Sequence, residues 1–127
     1  MAEHNEIGAC GEKIAAEVMR KKGFRIVETN WRFSNLEVDI IATNRQEIVF
    51  VEVKTRTSTF GDKRPEEYVG YTKKRNMTVA ANVYIKQHNI TLRPRFDIIG
   101  ILLDGNTHEV REINHIEDAF IPPMRRI

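Results

Sequence analysis

The stretch that most limits how this chain can fold runs from Glu37 to Arg56. Its two halves, Glu37–Ala42 and Ile48–Thr55, are rich in β-branched and apolar residues, with the polar run Thr43-Asn44-Arg45-Gln46-Glu47 between them. That pattern predicts a β-hairpin. A loop centred between Arg45 and Gln46 sets Asp39 opposite Glu52 and Glu37 opposite Lys54. Strand alternation then gives one face to Glu37, Asp39, Glu52 and Lys54, and the other to Val38, Ile40, Val51 and Val53. Opposed Cβ atoms on neighbouring strands are about 4.5–5.5 Å apart, and like charges so placed repel. Two carboxylates held together in an apolar hairpin need a cation, and hard oxygen ligands suit Mg2+ or Mn2+. The competing reading is an ordinary solvated strand face, with Glu37 and Lys54 a surface ion pair of little worth. A slip of one residue in register would favour it.

The length, 127 residues, predicts a single domain, taken here as residues 1–121, followed by a short basic tail at 122–127. Hydrophobic residues make up 41% and charged residues 30%, as in a globular domain with one core. A formal charge of +2 permits a polyanionic partner without demanding one. The single cysteine, Cys10, rules out an internal disulfide framework and fits a reducing compartment. The start, Met-Ala-Glu-His-Asn-Glu, does not read as a secretory signal, and no run approaches the ~18–20 apolar residues of a membrane helix. A cytoplasmic protein with no membrane partner is the expectation.

Helical spacing of Ile7, Cys10, Ile14, Ala15, Val18 and Met19 predicts a first helix over about 5–22, capped by Gly23 after a basic last turn. Gly8 and Gly11 inside it each cost roughly 1 kcal/mol relative to alanine, so they read as marks of a close approach to another element. Glu12 lies at the edge of the apolar stripe, either solvated or leaning over the hairpin. Phe24–Phe33 reads as a strand, and Pro65-Glu66-Glu67 as a helical turn. A second helix is predicted over 72–88, with Thr72 as N-cap and Met77, Ala80, Ala81, Tyr84 and Ile85 buried. Its opening turn carries Lys73, Lys74 and Arg75, which oppose the helix dipole, a cost that suggests a ligand. Strands at 92–103 and 108–113 flank the turn Asp104-Gly105-Asn106-Thr107, and Ile116–Phe120 reads as a helical turn. The order helix, three strands, helix, two strands makes an α/β protein with a mixed central sheet flanked by helices.

Asp39 followed by Glu52-Val53-Lys54 resembles the PD-(D/E)XK nuclease superfamily, which includes restriction enzymes and Holliday junction resolvases. More closely, the chain resembles the YraN-type family of small bacterial endonuclease-like proteins. The resemblance rests on Gly8-x-x-Gly11-Glu12, Asn30-x-Arg32, Glu37–Ala42, Val49–Arg56, Val69-x-x-x-Lys73, Arg95-Phe96-Asp97 and Ile113-x-His115-Ile116. Two positions depart from the pattern: Leu36 stands for the family's usual glycine, and Val38 for the superfamily's usual proline.

The resemblance implies a restriction endonuclease-like α-β-β-β-α-β core and metal-dependent hydrolysis of DNA phosphodiester bonds, including those of branched or recombining DNA. Asp39, Glu52, the Val53 carbonyl and Glu12 are the implied metal ligands. Lys54 would orient water or steady the charge of the transition state. Lys73, Lys74, Arg75, Arg56, Lys63, Arg64 and Arg95 are the expected phosphate contacts. Arg95 with Asp97 fits a structural ion pair equally well, and His115 fits a structural hydrogen bond. A homodimer is implied by analogy with resolvases. The rival reading is a nucleic-acid-binding module that keeps the fold, cuts nothing and acts with a partner.

Overall fold

The computed structural model describes residues 2–58 and 69–120, and for residues 2–5 the backbone alone. The expected turn at Pro65-Glu66-Glu67, the cations Lys63 and Arg64, and the tail 122–127 lie outside the described residues.

The elements are α1 (Ala2–Lys21), β1 (Arg25–Phe33), β2 (Leu36–Thr43), β3 (Glu47–Thr57), α2 (Tyr71–Gln87), β4 (Arg93–Leu103) and β5 (Val110–Ile116). They build one sheet in the order β1-β2-β3-β4-β5. Neighbouring strands are antiparallel except β3 and β4, which are parallel. A parallel pair needs a long crossover, and α2 lies within it. The result is an α/β protein with a restriction-endonuclease-like core.

Each sheet face buries a helix. On one side Ala15 and Met19 of α1 pack on Ile40, Val49, Val51 and Ile99. On the other, Met77, Ala80, Ala81 and Tyr84 of α2 pack on Ile41, Ile48 and Phe50. Helix α1 ends where expected, at Gly23 with φ +94°, a conformation glycine adopts without strain. The two internal glycines differ. A Cβ at Gly11 would overlap the Thr55 hydroxyl and stand 2.9 Å from the Thr55 Cβ, so α1 lies directly on β3 there. Nothing approaches Gly8, which marks no close contact.

The hairpin register is the one the sequence predicts: Thr43 pairs with Ile48, Ala42 with Val49, Ile41 with Phe50 and Ile40 with Val51. Four expectations are corrected. Val38 packs on the α2 side with Ile41, while Ile40 packs on the α1 side, so strict alternation fails at Asp39. Glu37 has Arg32 of β1 as its cation, at 3.6 Å, because paired β2 residues beyond Ile40 face β1 and no longer β3. Helix α2 starts at Tyr71 with Gly70 as N-cap and no side-chain cap, so Thr72 lies inside the first turn. At the end of the chain, β5 runs on through Asn114 to Ile116, and a turn replaces the expected helical turn.

Candidate active site

The failed alternation at Asp39 is the local event that makes a site. Beyond the Ile40–Val51 pair, the Asp39 carboxylate does the work of a ladder carbonyl, accepting the Val53 N–H through Oδ2 at 2.8 Å. Such side-chain-to-backbone bonds compete with sheet pairing. The neighbouring strand is distorted in step. Asn30 falls between the pairs Thr29–Ile40 and Trp31–Val38, and it takes a left-handed conformation with φ +51°. That is uncommon for a non-glycine residue and costly inside a strand. The Asn30 side chain hydrogen-bonds the Glu12 carboxylate, which reaches this edge of the sheet from α1.

Glu52 lies across from Asp39 on the α2 side of β3, with only 6% of its surface exposed. Its Oε1 is buried and has no hydrogen-bond partner among the described residues. Lys73 Nζ of α2 stands 3.5 Å from that oxygen, an ion-pair contact rather than a hydrogen bond. Burial, and then the Asp39 charge, push the Glu52 carboxyl up to about 8, against the pull of Lys73 and Lys54. Burial also raises Asp39, offset by the Val53 N–H and Lys73. Glu12 is raised as well, first by burial, with Asn30 opposing and the Asp39 and Glu37 charges adding. All three carboxyls are shifted up chiefly by burial, with their mutual repulsion adding to it.

The expected residues separate into groups. Asp39, Glu52 and Lys54 come together on the hairpin, with Glu12 near enough to feel Asp39 and Lys73 in contact with Glu52. Val53 enters through its N–H, beside whatever its carbonyl does. Lys74 lies over the Phe120 ring at 5.5 Å, and Arg75 is exposed on the same turn of α2. Arg56 is exposed further along β3, with its guanidinium on the Thr55 carbonyl at 3.0 Å.

Arg95 belongs elsewhere. On the α1 side of β4 it forks onto Asp97 at 2.9 and 2.8 Å and also meets Glu47 at 3.0 Å. His115 Nε2 and the Asp118 N–H complete the shell of Asp97, at 2.7 and 3.0 Å. Lys22 Nζ reaches His115 Nδ1 at 2.7 Å. A lysine ammonium only donates, so Nδ1 accepts and the Nε2 proton faces Asp97. Arg95 is thus a structural ion-pair residue whose guanidinium is taken up by Asp97 and Glu47, in place of the expected phosphate contact. Asn30 is the site residue that reading the sequence for chemistry missed; its signal was an asparagine inside a strand pattern.

The donor set suits a hard divalent cation. An orphaned buried oxygen on Glu52, a second carboxylate opposite and a third within electrostatic reach are oxygen donors of the kind Mg2+ and Mn2+ take. Among the described residues no group of three acidic, histidine or cysteine side chains forms a ready-made metal cage. Asp39 and Glu52 would hold such an ion, and Glu12 lies near enough to feel the Asp39 charge.

Fold and site together define an α/β protein with a restriction-endonuclease-like core and a carboxylate pair, Glu52 buried and Asp39 half-buried, where its hairpin strands part. Comparison with known proteins narrows this. The family described as Uncharacterised protein family UPF0102 matches residues 11–101. A UPF0102 protein of Flavobacterium psychrophilum is 42% identical over 121 residues, covering 94% of this chain and 98% of the relative. One from Caldanaerobacter subterraneus subsp. tengcongensis is 44% identical over 116 residues, 90% and 93% of the two chains. One from Bacteroides thetaiotaomicron is 42% identical over 124 residues, 98% and 99%. The chain belongs to the UPF0102 family, the YraN family. No helix among the described residues is long and apolar enough to cross a membrane.

Proposed function

We propose that this protein is a metal-dependent endonuclease that hydrolyses DNA phosphodiester bonds. The observation that carries the proposal is Glu52 Oε1, buried beside Asp39: it accepts no hydrogen bond among the described residues and has only the Lys73 ion-pair contact from the cationic first turn of α2. A carboxylate pair is maintained at an energetic cost when something outside the chain is to be held there.

A bound Mg2+ or Mn2+ supplies Lewis-acid polarisation of the phosphate and lowers the pKa of a water. The protein's own groups do the rest. Asp39 and Glu52 would hold the ion against the hairpin, with Glu12 of α1 a further carboxylate within electrostatic reach. Lys54 follows Glu52 on the same face of β3, where its charge orients an attacking water or offsets the negative charge gathering in the transition state. The start of α2 receives the phosphate: its first N–H groups have no side-chain cap, no acid stands in its first turn, and Lys73 and Lys74 lie there. Helix N-termini of this kind suit anions. Those contacts are to phosphate, so they confer affinity without sequence preference.

The test is cleavage of a DNA panel (duplex, single strand, flap and four-way junction) with Mg2+ or Mn2+, beside Asp39→Ala and a chelator control. Turnover should vanish in both controls, and Lys54→Ala should slow it on the order of 10²–10³-fold. If wild type and Asp39→Ala bind one panel member equally and neither cuts, the protein is a binding module that keeps the nuclease fold.

A further inference from the structure

A groove at the opposite end of the sheet takes no part in the proposed chemistry. It lies where β1 begins and where β2 turns into β3, and it measures about 630 Å3. Gly23, Arg25, Thr43, Asn44, Arg45 and Gln46 line it. The turn is braced from within: Asn44 Oδ1 accepts the N–H groups of Gln46 and Glu47 at 2.8 and 2.7 Å, so Arg45 is displayed at its tip.

Two observations distinguish this groove from ordinary surface. First, no acidic side chain lines it, and among the described residues neither Arg25 nor Arg45 has a side-chain hydrogen bond or an ion pair. Lys21 at the end of α1 and Arg93 at the start of β4 stand at the same end, exposed and equally unpaired. Two carboxylates are committed to other cations, Glu47 to Arg95 and Glu117 to Lys22 and Arg95. Arg20, Arg32, Lys73 and Arg111, by contrast, each stand within 4.0 Å of a carboxylate. The whole chain carries a formal charge of only +2, so these unpaired cations at one pole are a concentration and not a sample of the average. Second, the walls hold no aromatic or large apolar side chain, so nothing there can stack on a base or grip a nucleoside. Two arginine forks around an open groove match phosphate oxygens.

We infer that the Arg25–Arg45 groove is a second nucleic-acid contact, which binds the phosphodiester backbone of a segment other than the one at the carboxylate pair. The inference rests on the reading of the protein as a DNA-handling enzyme. From Gln46 to Glu52 along β3 the distance is roughly 20 Å at ~3.3 Å per residue. A single short segment engages one end. A long or branched molecule engages both, and the two contacts then add through effective concentration.

The experiment is binding of full-length protein to a short duplex, a long duplex and a four-way junction in chelator, over a series of salt concentrations. Arg25→Gln/Arg45→Gln is compared with wild type, with Arg111→Gln as a surface-charge control and Lys73→Gln/Lys74→Gln for the catalytic end. The groove variant should keep wild-type melting and short-duplex affinity. It should lose roughly 10–100-fold on the long duplex and junction, with the log–log salt slope shallower by about 0.9 per phosphate contact removed. Amide resonances of Thr43–Gln46 should shift with the long duplex. If the groove variant matches wild type on every DNA while the Lys73/Lys74 variant weakens, this inference fails and the catalytic reading stands. If wild type binds no DNA at either end, both fail. If inorganic phosphate alone saturates those resonances at micromolar concentration and DNA affinity ignores the arginines, the groove is a small-anion site and the inference is overturned.

Discussion

Asp97 and Glu52 stand in neighbouring rows of the sheet, since Asp97 pairs with Val51 and Glu52 with Ile98, yet they project from opposite faces. Both are buried, at 0% and 6% exposure. Their surroundings are opposite in kind. Asp97 receives two bonds from Arg95, one from His115 and one from the Asp118 N–H, and its pKa lies below the ordinary carboxylate value, since those bonds outweigh burial. Glu52 has an orphaned oxygen, a like charge opposite and one lysine at 3.5 Å, and its pKa is pushed up to about 8. The same sheet supplies one carboxylate with every partner it can use and leaves another wanting. The first kind of centre fastens β4, β5 and the end of α1 together. The second keeps a buried carboxyl in electrostatically unfavourable surroundings.

The largest expected effect attacks that contrast directly. Asp97→Asn leaves the Arg95 guanidinium and the His115 N–H facing an amide, and should cost about 3–5 kcal/mol, as for a buried pair that loses one partner. Glu52→Gln should behave oppositely in metal-free protein, changing stability by less than about 1 kcal/mol or raising it, because a carboxyl titrating near 8 is already mostly protonated at neutral pH. Urea unfolding of both variants measures this. Equal losses would show that Glu52 is as structural as Asp97.

The second effect is the sign of the pH dependence. Asp97 is depressed below 3.8, so its contribution is present in full above that value and lost as pH falls through its folded pKa. Glu52 is raised from 4.5 to about 8, so its contribution is present in full below 4.5 and lost as pH rises through about 8. Metal-free protein should therefore lose on the order of 3–5 kcal/mol between those limits on account of Glu52, and Glu52→Gln should flatten that window while leaving the acid limb intact. Saturating Mg2+ should restore stability on the alkaline side, by about 2.7 kcal/mol at a hundredfold excess over Kd, and Asp39→Asn should abolish the restoration. A Glu52→Gln profile that still slopes across the window would place the titration elsewhere.

How far the sequence discloses these two centres follows from the forces that build them. The register of β2 on β3 is legible because two β-rich halves of similar length flank one polar loop, and that symmetry sets Asp39 against Glu52. Where the pairing stops is not legible. It depends on the Asp39 side chain capturing the Val53 N–H and on Asn30 turning left-handed beside it, choices that alternation of apolar and polar residues does not encode. Alternation alone therefore sets Val38 with Ile40, on the face opposite the one it packs against. Arg95 and Asp97 are visible as a local pair two residues apart. His115 and Lys22, which are 93 residues apart in sequence, join it only through the packing of β5 and α1. The start of α2 was misplaced because Thr72 is a good N-cap by type, while the helix in fact begins after Gly70 with no side-chain cap at all. That bare terminus is itself informative, because it faces the site.

The smallest expected effect concerns the two cations. Arg95 is only 12% exposed in its side chain and supplies two bonds to Asp97, so Arg95→Ala should destabilise about as much as Asp97→Asn. Lys73 is 40% exposed and makes one contact with Glu52 outside hydrogen-bonding geometry. Ion pairs of that exposure are worth about 0–1 kcal/mol, so Lys73→Ala should shift the unfolding midpoint barely at all. Its cost should fall on function, as DNA affinity with a shallower salt dependence and a cleavage rate lower by roughly 10²-fold. The pair of measurements separates two uses of a cation beside a buried carboxylate. A lysine there to neutralise Glu52 would be missed in folding, whereas one there to meet a phosphate is missed only when DNA arrives. Should Lys73→Ala unfold as readily as Arg95→Ala, Lys73 would be the structural counterion of Glu52, and the two centres would differ in degree and not in kind.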